Sequence, residues 1–359
     1  MTDSVVQQIL DLARWAPSGD NTQPWRFEIV DDRHVVVHGF DTRDHCVYDI
    51  DGHPSQIAHG ALLETLAIAA SGHGLLARIE RRRGLPDTTP TFDVQLAPDA
   101  SVAPSPLLPF ITTRTVQRRP LSTRPLKAEE KAELEASVGA GYSVRWLEFP
   151  SERWRMATLL FRNAEIRLTI PEAYRVHRDI IEWGTRYSED RVPDQALGLD
   201  RMTLKMMRWV MHSWGRVRFF NRYLAGTLSP RLQMDLVPGM GCAAHFLILG
   251  PNPAETIDDY VDAGRATQRF WLTATKIGLR LQPEQTPLIF AIYSRAGRRF
   301  SEVEGATDQA RRLTGHLDAL IGEAAARRAV FMGRVGKGDH PDARSLRLPL
   351  GRLTRTISG

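Results

Sequence analysis

Residues 13–27 read ARWAPSGDNTQPWRF, and this stretch carries more information per residue than any other in the chain. An apolar helical pattern, Ile9, Leu10, Leu12 and Ala13, runs into Pro17, and a helix stops at about the residue before a proline. Ser18, Gly19, Asp20 and Asn21 form a polar loop. Pro24 then opens an alternating run, Trp25, Phe27 and Ile29, that reads as a strand. Two uses of the loop stay open on residue type alone. Its Ser, Asn and Gln groups can converge on one flat polar ligand, or they can serve local backbone bonds in a helix-to-strand turn.

Outward from this stretch, residues 4–16 read as a first helix, and 25–30 with 35–39 as a hairpin around Asp31 and Asp32. Ser55 to Leu75 is a long helix, rich in small residues and apolar nearly all round, which suits a buried central position. Strands are expected at Arg78–Arg83 and Thr91–Leu96, with an extended Pro/Ala/Ser connector over 97–109 and an amphipathic helix over 127–138. Residues 60–75 and 264–279 share Gly, Ala, Gly and Leu at the same offsets, each in an apolar helix preceded by an acidic turn. A strand is expected after each, the second at Leu288–Tyr293 (LIFAIY). The chain therefore reads as two tandem halves, 1–108 and 109–359, folded against each other like the subunits of a dimer.

Composition bounds the function. The chain has 359 residues, 42% hydrophobic and 25% charged, as in globular proteins with a sizeable core. No run of about 18 apolar residues occurs, so no membrane span is expected. The N-terminus lacks a charged-then-apolar leader, and Cys46 and Cys242 stand alone, so a reducing, cytoplasmic setting is expected. The net charge of +5 is uneven: residues 327–355 hold eight cations against two acids, and 201–222 hold six cations and no acid. Two local basic stretches fit phosphate sites better than a long polyanion, and no nucleic-acid module accompanies them. His45, His53, His59 and His73 lie near Asp44, Asp49 and Asp51, but without metal-ligand spacing, so no metal site is assigned.

APSGDNTQPWRF resembles the A-P-S-x-x-N-x-Q-P-W-x-F signature of the nitroreductase superfamily, whose loop covers the flavin ring of FMN from the other subunit of a dimer. DAGRATQRFWLTATKIGL, 262–279, is similar to that family's central helix. The family opens with basic residues that hold the FMN phosphate, and here RTVQRRP, 114–120, carries them in the second half. The resemblance is greatest to single-chain, Acg-like members, and extends to nitroreductase domains beside ThiF-like adenylylating domains. It implies an α+β nitroreductase fold with an antiparallel-dominated sheet, central buried helices and an intramolecular pseudo-dimer.

The same resemblance implies one complete FMN site per chain, assembled from both halves. Ser18, Asn21 and Gln23 would come from the loop, and Arg114, Thr115 and Arg118 from the basic motif, where Val116 replaces the family's hydroxyl. Gln285 and the backbone near Pro283 and Glu284 would face the flavin ring, and Arg344 and Arg347 would complete the phosphate cradle. No paired acid and base is implied, because flavin N5 carries the chemistry. NAD(P)H is the implied transient donor and a small nitroaromatic or quinone-like molecule the oxidant. A non-catalytic FMN-storing protein and a dedicated biosynthetic flavin oxidase remain alternatives, as do a monomer, a homodimer and a ThiF-like partner. For 165–235, helical Met, Trp and Phe leave three readings open: core, a lid over the flavin, or a basic amphipathic surface for a membrane. The basic segment 333–353 reads either as part of the cradle or as a solvated tail.

Overall fold

A computed structural model describes residues 4–355 of the protein. Helix α1 (Val5–Ala13) starts with a capping box: Gln7 N–H donates to Ser4 Oγ and Ser4 N–H to Gln7 Oε1. Its buried residues, Val6, Ile9, Leu10 and Ala13, keep the three-and-four spacing of one apolar face. There follow β1 (Trp25–Asp31), β2 (His34–Gly39), α2 (His53–Ser71), β3 (Leu75–Arg81) and β4 (Thr91–Pro98). They form an antiparallel sheet in the order β1-β2-β4-β3. Helix α2 ends four residues earlier than the sequence suggested, because Ser71–Gly74 make a turn closing on Gly74 at positive φ.

The second half begins with α3 (Ala128–Ser137) and β5 (Ser143–Leu147). Next comes a largely helical region: α4 (Pro150–Thr169), α5 (Pro171–Ile180), the two-residue strands β6 (Ile181–Glu182), β7 (Tyr187–Ser188) and β8 (Val192–Pro193), then α6 (Arg201–Val210), α7 (Trp214–Tyr223), α8 (Leu228–Arg231) and α9 (Val237–Met240). Strand β9 (Ala244–Leu249), α10 (Ile257–Lys276), β10 (Arg280–Pro283), α11 (Thr286–Arg295), α12 (Ala306–Ile321), α13 (Glu323–Arg328), β11 (Ala329–Gly336), β12 (Arg344–Ser345) and α14 (Leu350–Leu353) complete it. The second sheet runs β5-β9-β11-β10, again antiparallel throughout. In each sheet the order is first, second, fourth, third, and the central helix connects the second strand to the third. The protein is thus α+β, with two antiparallel sheets of like topology.

One element differs in kind from expectation. Leu288–Tyr293 is not a strand but the body of α11, and the strand after the second central helix is β10. A short apolar run is ambiguous between a buried strand and a buried helix. Pro287, placed in the first turn where a helix tolerates proline, decides it.

The central helices cross face to face, and two glycines set how closely. A Cβ on Gly60 would run into the Val261 carbonyl oxygen, and a Cβ on Gly264 into the Ile57 carbonyl oxygen. The contact is reciprocal, each glycine meeting the carbonyl three residues before the other. Gln268 donates to Thr65 Oγ1 at 2.9 Å, and Glu64 pairs with Arg265 and Arg269 along the same seam. Gly264→Ala should therefore cost about 2 kcal/mol of stability, because the clash is with backbone that cannot swing away. Urea unfolding checks this, and a loss below a few tenths would mean that the helices can separate without penalty.

Candidate functional site

A cavity of about 440 Å³ is lined both by residues from 17–61 and by residues from 114–347. Its walls are the loop 17–21, the first turns of α2, segment 114–118, Tyr260 and Trp271 of α10, residues 282–286, and 343–347. Ile180, Ile181, Leu197, Met207, Pro230 and Met234 close another side, so the helical region 165–235, an insertion between β5 and β9, roofs the cavity.

The loop is held in a rarely populated backbone. Asp20, Asn21 and Gln23 all have positive φ (51°, 63° and 47°). Such strain persists where surrounding structure over-determines it, and it gathers at functional sites. Here Ser18 Oγ accepts the Gln23 N–H at 3.0 Å. Asn21 Nδ2 donates to the Glu189 and Arg191 carbonyls at 3.1 and 3.2 Å, tying the loop to the insertion. Asn21 Oδ1 is buried without a partner, and Asn21 lines the cavity. Gln23 does not line it. Its side chain is fully engaged, donating to the Asn21 and Glu189 carbonyls and accepting from Leu348 N–H.

At one end, Arg114, Arg344 and Arg347 collect without carboxylates, while Arg118 stands apart from them, near Asp20 and Arg334. Arg114 is buried, lies 4.6 Å over the Trp271 ring, and donates through Nη2 to the Trp15 carbonyl. Its Nε has no partner. Arg347 donates to the Ala16 and Leu346 carbonyls, and Arg344 to those of Thr112 and Arg114 while lying over Trp15. Arg118 donates to the Ala196 carbonyl. None of these four pairs with an Asp or Glu within 4 Å among the described residues. Burial pulls all four below the usual guanidinium range, Arg347 to about 9 and Arg118 to about 10. The neighbouring guanidinium groups of Arg347 and Arg344 lower Arg114 further. Burying like charges together is costly unless an anion sits among them. Segment 343–348 is therefore not a solvated tail: Arg344 and Ser345 pair with β7, and Arg347 is buried.

Thr115 and Val116 also line the cavity, and Val116 bridges to Leu281 so that the basic segment is strapped to β10. Pro283 has no N–H, and the N–H of Glu284 goes to the Met332 carbonyl. Gln285 and Thr286, at the start of α11, also line the cavity, and at a helix start no helix turn satisfies the backbone N–H groups. Gln285 holds its place by donating through Nε2 to the Met332 carbonyl at 2.8 Å.

Several lining residues carried no signal in the sequence reading. Asp20 faces the cavity. Burial pushes its carboxyl up to about 6, and Arg118 pulls the other way. Arg167 and Asp235 pair at 2.7 Å in the roof, and Tyr48 OH meets His177 Nε2 at 3.0 Å, the imidazole being driven down to about 3 by burial beside Arg167. Arg334 was discoverable in principle: an arginine in the run AVFMGRVG, on a strand buried along its length, demands a partner, and Glu284 supplies it at 3.1 Å.

Residues 1–53 match the model of the Nitroreductase family. The match contains the whole of the 13–27 loop. "Uncharacterized protein MT1398" of Mycobacterium tuberculosis (strain CDC 1551 / Oshkosh) is 26% identical over 281 residues, 77% of this chain and 38% of its own length. The chain thus spans about two fifths of that relative. Two nitroreductase-type crystal structures are similar in part. One is a nitroreductase-like family protein from Bacillus cereus: 10% identity, TM-score 0.36, covering 71% of this chain and 97% of the other. The other is the FMN-dependent nitroreductase NfnB from Mycobacterium smegmatis in complex with NADPH: 14% identity, TM-score 0.37, covering 69% and 96%.

Proposed function

We propose that the chain is an FMN-binding oxidoreductase of the nitroreductase type with one cofactor site, using NAD(P)H to reduce a small nitroaromatic or quinone-like oxidant. The observation that carries this reading is the carboxylate-free cluster Arg114, Arg344 and Arg347, which flanks the same cavity as the nitroreductase-like loop of the first half. The donor set fits a phosphate dianion: unpartnered guanidinium N–H groups in a buried site bind it through charge-assisted bonds. The cavity is also of the size that small-molecule cofactors occupy. FMN, when bound, supplies hydride and electron transfer.

The chain's own residues do the rest. The arginines neutralise and anchor the phosphate, the strained loop presents Ser18 and the free Asn21 Oδ1, and Gln285 and Thr286 offer N–H groups from a helix start. The insertion excludes water from above. The like topology of the sheets and the reciprocal Gly60–Gly264 crossing support an internal duplication into 1–108 and 109–359. A site that straddles a dimer interface elsewhere would then be complete within one chain. The sequence holds no glycine motif for a second nucleotide, so donor and oxidant would take turns in one cavity and give parallel initial-rate plots. The overhanging roof also favours a second reading, storage of FMN with nicotinamide shut out.

A visible spectrum before and after anaerobic NADPH or NADH tests both. The expected result is about one flavin per chain that bleaches. A flavin that resists both nucleotides but bleaches with dithionite would favour storage. Two flavins per chain would refute the single split site, and none after reconstitution would refute the cofactor.

A further inference from the structure

Helices α6 and α7 stand out from the rest of the molecule by their outer face. In α6, Met202, Met206 and Trp209 follow a four-then-three spacing and form one stripe, and in α7 Phe219 and Tyr223 form another. Met202 is 80% exposed, Trp209 53%, Phe219 54% and Tyr223 62%. The stripes are joined: Trp209 packs edge-on to Phe220 at 5.6 Å, and the Arg216 guanidinium lies 4.5 Å over the Trp209 ring. Beside them run Arg201, Lys205 and Arg208 on one helix and Arg218 and Arg222 on the other, all exposed. None of these cations forms an ion pair among the described residues, and 201–222 contains no acid. Only Thr203 of α6 and Val217 of α7 are fully buried, and Leu204 and Met207 pack inward against Ile181, Val192, Leu197 and Leu199, so Met202, Trp209, Phe219 and Tyr223 are not core here.

A large apolar patch rimmed by polar groups marks an interaction surface. Aromatic and Met side chains interleaved with unpaired cations match one partner chemistry in particular, the headgroup boundary of an anionic bilayer. We infer that the outer face of α6 and α7 is a docking surface for an anionic lipid membrane. A second copy seated symmetrically on this face would set six cations against six, which opposes self-association there. Among the described residues no helix is long and apolar enough to cross a membrane, so the contact is peripheral. A hollow of about 60 Å³ lies beneath the pair, lined in part by Met207 and Val210 and by Met206, which sits at the inner edge of its stripe and is 38% exposed. It shares Arg167 and His177 with the main cavity, so the docked face sits above the cavity roof.

The test is co-sedimentation of the full chain with vesicles of phosphatidylcholine alone, or mixed with phosphatidylglycerol in roughly equal parts, at low and high salt. No flavin is read, so the result stands apart from the reductase assignment. The protein should sediment with the anionic vesicles only, and less at high salt. The double variant Arg218→Glu/Arg222→Glu, at exposed positions, should weaken binding roughly tenfold or more. Trp209→Ser/Phe219→Ser should weaken it with the charge unchanged. Failure to sediment, or equal sedimentation of wild type and both variants, would overturn the inference. So would light scattering that shows a dimer abolished by these substitutions, since a second copy would then be the occupant.

Discussion

Glu284→Gln should destabilise the protein by about 3–5 kcal/mol at neutral pH, the scale of removing one partner from a buried ion cluster. Glu284 bridges two cations: Oε2 accepts from His245 Nδ1 at 2.7 Å and Oε1 from Arg334 Nη1 at 3.1 Å. His245 Nε2 faces the Gly239 carbonyl at 2.9 Å. Both ring nitrogens therefore meet acceptors, and only the doubly protonated imidazolium can donate to both. Burial lowers the affinity of His245 for its proton, but the Glu284 charge outweighs it and holds the ring up to about 10. A folded value above the ordinary 6.5 means that this stabilisation is complete below about 6.5 and is lost as pH rises through about 10. Glu284, held below its ordinary value against the opposing effect of burial, adds stability above about 4.5 that is lost in acid. Urea unfolding of wild type and variant should therefore differ most between about pH 4.5 and 6.5, and the gap should narrow as pH rises from there to about 10. A gap independent of pH would mean that His245 is neutral. Glu284 and Arg334 also line the cavity, so the cluster fixes part of its wall.

What the sequence disclosed and what it concealed divide along physical lines. The 13–27 loop was legible because Pro17 and Pro24 punctuate the backbone and because so few side chains suit the turn between them. The central helices were legible because close approach of backbones requires glycine at Gly60 and Gly264, and no packing alternative restores that contact. The α11 run was misassigned because complete burial removes the alternation that separates strand from helix. The role of the 201–223 stripes was hidden for a different reason. Periodicity reports that a helix has an apolar face, and says nothing of what covers it. Gln23 shows the limit within the loop itself: an amide side chain in a motif is equally able to serve a ligand or to fasten the backbone around one. Only the bonds to Asn21, Glu189 and Leu348 distinguish the two. Arg114 lies more than two hundred residues before Arg344 and Arg347, and nothing in that spacing predicts that they converge.

Arg114→Met should move stability and cofactor retention in opposite directions, and the pair of signs is the point of the experiment. In the protein without an anion, the Arg114 guanidinium is buried near two others, with one carbonyl and one aromatic face for company. An unflanked side chain of similar length removes that uncompensated charge. The thermal midpoint in phosphate-free buffer should rise, as it does when isolated buried ions give way to apolar groups. Retention of FMN should fall by about 1.5–3 kcal/mol, the scale of a charge-assisted bond, which is roughly ten- to a hundredfold in affinity. If the arginine instead serves to brace the Trp15 carbonyl, the midpoint falls and affinity stays the same. If both fall, Arg114 supports the fold as well as the anion, and Arg344→Met separates the roles, because Arg344 is less deeply buried and braces the Thr112 carbonyl instead. An unchanged affinity in both variants would remove the phosphate from this end of the cavity, and with it the strongest physical argument that the two halves build one site.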